Sequence, residues 1–192
     1  KEEKKPEIKT VYYVSDELQQ AQYIKMFKDA GLNAMVCDNS YIDPHFITFL
    51  EYKSPDKVKF ARIDADVDGA LRTGESEDDT VIKDIFKEAL GDDKLTIKTE
   101  RLKNQSVPAI INVDEIMRRY SEMGQIYGMS EGDPARTLVV NLANPIVASI
   151  KDAGAEKQKF VANQIYLLAL LAFKKLSNEE QNNLIENDLK ML

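Results

Sequence analysis

One cysteine, Cys37, and one histidine, His45, occur in the chain. A lone thiol excludes an internal disulfide and fits a reducing compartment, so a cytoplasmic location is expected. With no third orienting group evident beside this pair, neither a Cys/His nucleophile nor a zinc site is supported, and no catalytic residue or metal ligand is nominated. Glycine is scarce too, at eight residues. After the first strand-like run the turn is Val14-Ser15-Asp16-Glu17, where a phosphate cradle would need glycines that let backbone N–H groups close on the anion. Two carboxylates in that position repel a nucleotide. Basic residues number 26 against 33 acidic ones, giving a net charge of -7. No Lys/Arg cluster is long enough to neutralise a phosphate backbone, so a nucleic-acid partner is excluded. The longest apolar run, Ile165 to Phe173, falls short of the ~20 residues a membrane span needs, so no membrane partner is expected. There is no initiating Met and no apolar signal segment. The opening Lys1-Glu2-Glu3-Lys4-Lys5-Pro6 reads as a cut through a linker, hence a fragment.

What is present divides into two units. In the first, Thr10 to Val14 is a β-branched and aromatic run, Ser15 can cap the following helix, and Gly31 ends it. Leu32 to Cys37 reads as a second strand buried on both faces. Asp43-Pro44 opens a helix through Phe46, Phe49 and Leu50, and Val58 to Ile63 is a third strand. The alternation predicts a small α/β subdomain with a parallel sheet over residues 1–70. Residues 71–79, rich in acid and without apolar periodicity, read as a linker.

Residues 80–192 are expected to form an α+β domain ending in a helical hairpin. Thr80 caps a helix with apolar Val81, Ile82, Ile85, Phe86, Ala89 and Leu90, ended by Gly91. Strands are predicted over Leu95 to Leu102, Val107 to Val113 and Thr137 to Leu142, with a helix from Asp114 to about Tyr127 and a short one after Asn144-Pro145. From Phe160 to Leu176 the chain is apolar around nearly the whole helical circumference. One small domain cannot easily cover such a helix, so one face is expected to meet a partner. Ser177-Asn178-Glu179-Glu180 is a capping box that starts a returning helix carrying Leu184, Ile185, Leu189 and Leu192. Two such hairpins about a twofold axis make a four-helix bundle. The residues expected to dimerise are Phe160, Ile165, Leu168, Leu171, Ala172, Leu184, Ile185 and Leu189.

Asp64-Ala65-Asp66-Val67-Asp68-Gly69, with Leu71 at the eighth and Glu75 at the twelfth position, matches a calcium-loop pattern. The residues before it read as a strand rather than an entering helix, and there is no second loop to pair with. A calcium-responsive regulatory module built on Asp64 to Glu75 is the alternative function, and a solvated acidic linker the plainer reading. The helix from Asp114 carries Ile116, Tyr120, Met123 and Tyr127 at helical spacing, with Met117 nearby, and Gly124 and Gly128 weaken its end.

The second unit resembles the C-terminal domain of the ninety-kilodalton heat-shock chaperone family. The resemblance lies in Arg101-Leu102 followed by Ser106-Val107-Pro108-Ala109, in Asp114-Glu115-Ile116-Met117 at the start of a methionine-bearing helix, and in Leu138 to Val147, where Asn144 replaces the family's usual histidine. The first unit, from Tyr12-Tyr13 onward, resembles the small α/β subdomain that ends the family's middle domain. This resemblance implies an ATP-dependent chaperone acting as a homodimer on partly folded client proteins, with the ATP and magnesium sites in upstream segments and no cofactor or catalysis in this chain. It implies dimerisation through the two final helices. By position it nominates Ile116, Met117, Tyr120 and Met123, with Phe46 in the first unit, as client contacts. Gly124 stands where a bulky aromatic can occur in the family.

Overall fold

The computed structural model describes residues 8–39, 41–65, 71–73, 77–128 and 134–191. Its packing divides the chain into two compact units: Lys1–Val67 with Asp114–Pro134, and Asp68–Val113 with Ala135–Leu192.

In the first unit β1 (Lys9–Val14) runs parallel to both β2 (Met35–Val36) and β3 (Val58–Arg62), giving the sheet order β2-β1-β3. Alternation along β1 sends Val11 and Tyr13 to one face and Tyr12 to the other. Helix α1 (Ala21–Asp29) buries Tyr23, Met26 and Phe27, and the Phe27 ring meets Tyr12 edge-on at 5.0 Å. Helix α2 (Asp43–Lys53) covers the opposite face, where Ile47 joins Tyr13, Cys37 and Phe60 in a core.

Two local expectations are corrected. Leu32 to Cys37 is not a strand buried on both faces: only Met35 and Val36 enter the ladder, and they are 44% and 53% exposed. The order of the strands puts them at an edge with one neighbour, which an apolar run cannot disclose. Ser15 does not cap α1. Its backbone N–H and that of Asp16 instead donate to Oε1 of Gln20, at 2.8 and 3.1 Å, while Asp16 Oδ1 accepts from Leu18 and Gln19. This side-chain-bonded turn delays the helix to Ala21.

The second unit is built on a mixed sheet of β4 (Thr96–Glu100), β6 (Arg136–Asn141) and β5 (Ala109–Val113), in the order β4-β6-β5, with β4 parallel and β5 antiparallel to β6. Helix α3 (Thr80–Leu90) starts on Asp79, whose carboxylate accepts from the Ile82 N–H at 3.1 Å. Thr80 is therefore the first helical residue rather than the cap. Gly91, at φ 56°, ends α3 in the left-handed conformation that glycine adopts without penalty. Asn144 caps α5 (Pro145–Ile150) through the N–H groups of Ile146 and Val147.

Asn144 also reaches the Gln105 carbonyl at 2.7 Å. Asn141, fully buried, receives the N–H groups of Leu102 and Ala143 and donates to the carbonyls of Asn104 and Val107. These two amides fix the loop before β5. Helix α6 (Ala155–Phe173) lies on the sheet beside α3, and Ile82, Phe86, Ile111, Leu138, Ile165 and Leu170 are among its core residues. Ser177 and Glu180 form the expected capping box of α7 (Asn178–Met191): Ser177 N–H donates to Glu180 at 2.7 Å, and Glu180 N–H to the Ser177 hydroxyl at 3.2 Å.

Candidate interaction surfaces

Helix α4 (Glu115–Ile126) belongs by its packing to the first unit, although it lies between β5 and β6 in the chain. Asp114 Oδ1 caps it by accepting from Met117 N–H at 2.9 Å. Glu115, Arg118, Arg119 and Glu122 recur at i, i+3, i+4 and i+7 and so share one face. That charged face is the one turned inward, and Glu115, Arg118 and Arg119 are buried.

Burying such groups is tolerable only when each is paired and hydrogen-bonded. Glu115 Oε1 accepts from the Tyr13 hydroxyl at 2.6 Å, Arg118 at 2.7 Å and Arg119 at 2.6 Å, while Oε2 accepts from the Arg62 backbone N–H at 3.1 Å. Arg119 continues to the Glu51 carboxylate on α2 at 2.7 Å and to the Phe60 carbonyl at 2.8 Å. Arg62 pairs with Asp64 at 2.6 and 2.8 Å and with Glu122 at 2.9 Å. Arg118 also touches the Tyr13 hydroxyl. Four carboxylates thus face three guanidinium groups, and the β3 backbone adds the Arg62 N–H and the Phe60 N–H and carbonyl to the network, while Arg118 Nε stays buried without a hydrogen bond.

The electrostatics follow from this packing. Burial alone would raise the Glu115 carboxyl, but Arg118, the Tyr13 hydroxyl and Arg119 together hold it below the usual carboxylate range. Burial and the adjacent Glu115 outweigh the pull of Arg118 and push the Tyr13 phenol well above its ordinary value.

The apolar side of α4 faces solvent. Ile116, Met117 and Tyr120 are 58%, 61% and 65% exposed, and Met123 is half-buried. An ordinary surface helix does the reverse. Phe46 on α2 is also exposed, as are Phe49 and Tyr52, and the Lys53 ammonium lies 5.5 Å from the centre of the Phe49 ring. The His45 ring on α2 meets Tyr127, just beyond α4, at 6.5 Å. Since Arg119 meets Glu51 as well, α2 and α4 run alongside in opposite senses, and both lie over the Tyr13 and Phe60 face of the sheet. All five nominated client contacts therefore sit in one unit, on neighbouring helices. Phe49 and Tyr52 on α2, with Tyr41 and Ile42 just before it, are also exposed apolar side chains beyond the five nominated contacts. The signal for Phe49 and Tyr52 is an α2 sequence apolar on more sides than a two-layer unit can cover.

The residues expected to dimerise are distributed unevenly in the second unit. Ile165 is buried in the unit's own core, and Leu184 packs against it half-buried. Phe160 and Ala172 are half-buried. Leu168 and Leu171 on α6, and Ile185 and Leu189 on α7, are exposed. Between α6, α7 and the end of α3 lies a groove of about 480 Å³ whose lining includes Leu90, Phe160, Tyr166 and Asn183.

The calcium-loop pattern fares differently. Its first ligand position, Asp64, is wholly buried with both carboxylate oxygens engaged by Arg62. Residues 66–70 and 74–76, with most of the remaining ligand positions, lie outside the described residues. Among the described residues no group of three His, Cys, Asp or Glu side chains is placed to hold a metal. No helix among them is long and apolar enough to cross a membrane. Cys37 is buried, and burial, with Asp43 and Asp38 nearby, raises its thiol.

No protein-family model matches the chain. Among characterised proteins it is 30% identical over 155 residues to the chaperone protein HtpG of Bacteroides thetaiotaomicron, a match covering 73% of this chain and 22% of that protein. It is 28% identical over 162 residues to the chaperone protein HtpG of Bacteroides fragilis, covering 77% and 23%. The chain thus spans less than a quarter of the length of the curated relatives it matches.

Proposed function

We propose, from the premise that this chain belongs to the ninety-kilodalton heat-shock chaperone family, that it serves as the C-terminal portion of such a chaperone and binds partly folded proteins on α2 and α4. The observation that carries this reading is the inverted orientation of α4. Ile116, Met117 and Tyr120 stand in solvent while Glu115, Arg118 and Arg119 are buried. A helix that buries charge and displays methionine and aromatic side chains gains nothing from that display in the free protein. It suits a surface that receives varied apolar segments, because methionine is unbranched and polarizable and the rings offer large contact area.

The same reading makes the chain a homodimer through α6 and α7, with Leu168, Leu171, Ile185 and Leu189 as the side chains a second copy would cover. ATP and magnesium belong, on this reading, to other segments of the full-length chaperone, and the chain contributes pairing and client contact rather than catalysis. A single cysteine, which leaves no internal disulfide to form, suits a reducing, cytoplasmic setting. No observation favours the calcium-responsive alternative, since Arg62 already occupies both oxygens of Asp64.

An aggregation assay tests the proposal. The chain in molar excess is expected to suppress light scattering from a heat-unfolding test protein. The Ile116→Ser/Tyr120→Ser variant, altered only at exposed positions, is expected to lose that suppression while keeping its far-UV spectrum. Undiminished suppression by the variant would remove α4 from the binding surface.

A further inference from the structure

The buried charges beneath α4 have a use that pairing alone does not supply. The hydrophobic effect drives the apolar side of a surface helix inward and leaves its charges in water. On α4 the two sides compete for one seat, and that seat is not polar throughout. Tyr13 and Phe60 on the strands, with Ile47 on the neighbouring α2, make an apolar core on this side of the sheet, so an apolar stripe could settle there too.

The charged side is selected by a set of partners held in fixed elements. β1 supplies the Tyr13 hydroxyl; β3 supplies the Phe60 carbonyl and the Arg62 N–H and guanidinium; α2 supplies the Glu51 carboxylate. Each meets a particular atom of Glu115, Arg119 or Glu122, so the match fixes the rotation of α4 about its axis as well as its position. Gly124 lies within the last turns of α4, and Gly128, at φ 71°, follows it.

We propose that this ion cluster is the positioning device of the binding surface: Glu51, Arg62, Glu115 and Arg119 hold α4 charged side down and thereby keep Ile116, Met117 and Tyr120 in solvent. Loosening the cluster lets the helix turn its apolar stripe onto the Tyr13 and Phe60 core, which withdraws the surface without unfolding the unit. The proposal rests on the reading of α4 as a binding face, and it assigns the control of that face to side chains that touch no client.

The test uses the absence of tryptophan from the chain. Tyr120→Trp places a single emitter on the exposed stripe, where red-shifted emission and free quenching by acrylamide are expected. In that background Glu51→Met with Arg119→Met removes both charges of one ion pair together, along with the Arg119 bonds to Glu115 and the Phe60 carbonyl and the Glu51 bond to the Phe60 N–H. The expected result is a blue shift and loss of quenching in that background, and loss of binding to a permanently unfolded test protein when the same pair is placed in the otherwise unaltered chain, with the far-UV spectrum retained in both. Arg119→Lys, which keeps the charge, is expected to preserve much of the red-shifted emission. Unchanged emission and quenching in the folded double variant would overturn the proposal. Should the double variant unfold, Glu122→Gln decides, since it weakens only the half-exposed edge of the cluster. Partial protection from quenching then supports the proposal and unchanged quenching overturns it. If the unaltered chain binds no unfolded protein at all, the binding reading falls, while the emission shift of the Tyr120→Trp variants still reports on the seating of α4.

Discussion

Arg119 on α4 closes on the Glu51 carboxylate of α2 at 2.7 Å while its Nε holds Glu115 at 2.6 Å. One guanidinium thus joins two carboxylates from different elements, and it also donates to the Phe60 carbonyl. Removing one member of such a cluster leaves charges buried without a counterpart, which costs about 3–5 kcal/mol. Arg119→Ala is therefore expected to destabilise the first unit by that amount in urea unfolding followed by tyrosine fluorescence. Glu51→Met/Arg119→Met is expected to cost much less than the sum of the two single substitutions, because neither charge is left alone.

The same cluster sets a pH window. Glu115 has its folded pKa lowered, so its contribution is present above the unfolded carboxylate value and is lost as pH falls through the depressed one. Tyr13 has its folded pKa raised from an ordinary value of 10.0. Its contribution is full below that value and is lost as pH rises beyond it toward the folded pKa. Urea midpoints of the first unit are expected to fall at both extremes, and Tyr13→Phe is expected to remove most of the alkaline limb while leaving the acid limb.

Much of this architecture could be read from residues alone, and what could be read was local. The Ser177 and Glu180 capping box, the Asn144 cap and the Gly91 terminator each act within a few residues, so their side-chain chemistry announces the structure. The edge position of Met35 and Val36 depended on strand order, which no local pattern carries. For α4, periodicity locates the apolar stripe but not the side it faces. The charged stripe is written in Glu115, Arg118, Arg119 and Glu122. The partners that select it, Tyr13, Glu51 and Arg62, stand far away in the chain and meet it only in the fold. Similarly, an all-round apolar α6 signalled surplus surface, and the structure apportions it: Ile165 to the core, Leu168 and Leu171 to solvent.

In the second unit Asn141 and Asn144 hold the loop before β5. Asn144→Ala removes a helix cap and is expected to cost about 1 kcal/mol. Asn141→Ala orphans the Leu102 N–H together with the carbonyls of Asn104 and Val107, and its cost is expected to be on the order of 3 kcal/mol. Calorimetric unfolding of the two variants checks both the order and the size of these effects.

The homodimer proposal makes its own demand. Light scattering is expected to return a dimer for the unaltered chain at micromolar concentration. Leu168→Glu/Leu171→Glu is expected to give a folded monomer, because both side chains are exposed on α6 and charge there opposes burial against a second copy. Retained dimerisation would place the interface elsewhere.

Binding of partly folded proteins is assigned to the outward face of α4, and an equilibrium titration tests that assignment most directly. A fluorescently labelled, permanently unfolded protein would be titrated with the unaltered chain, with Ile116→Ser/Tyr120→Ser and with Leu168→Glu/Leu171→Glu. Saturable binding by the unaltered chain and by the α6 variant, with loss of binding in the α4 variant, is the predicted result. Equal affinity in the α4 variant and the unaltered chain would contradict it.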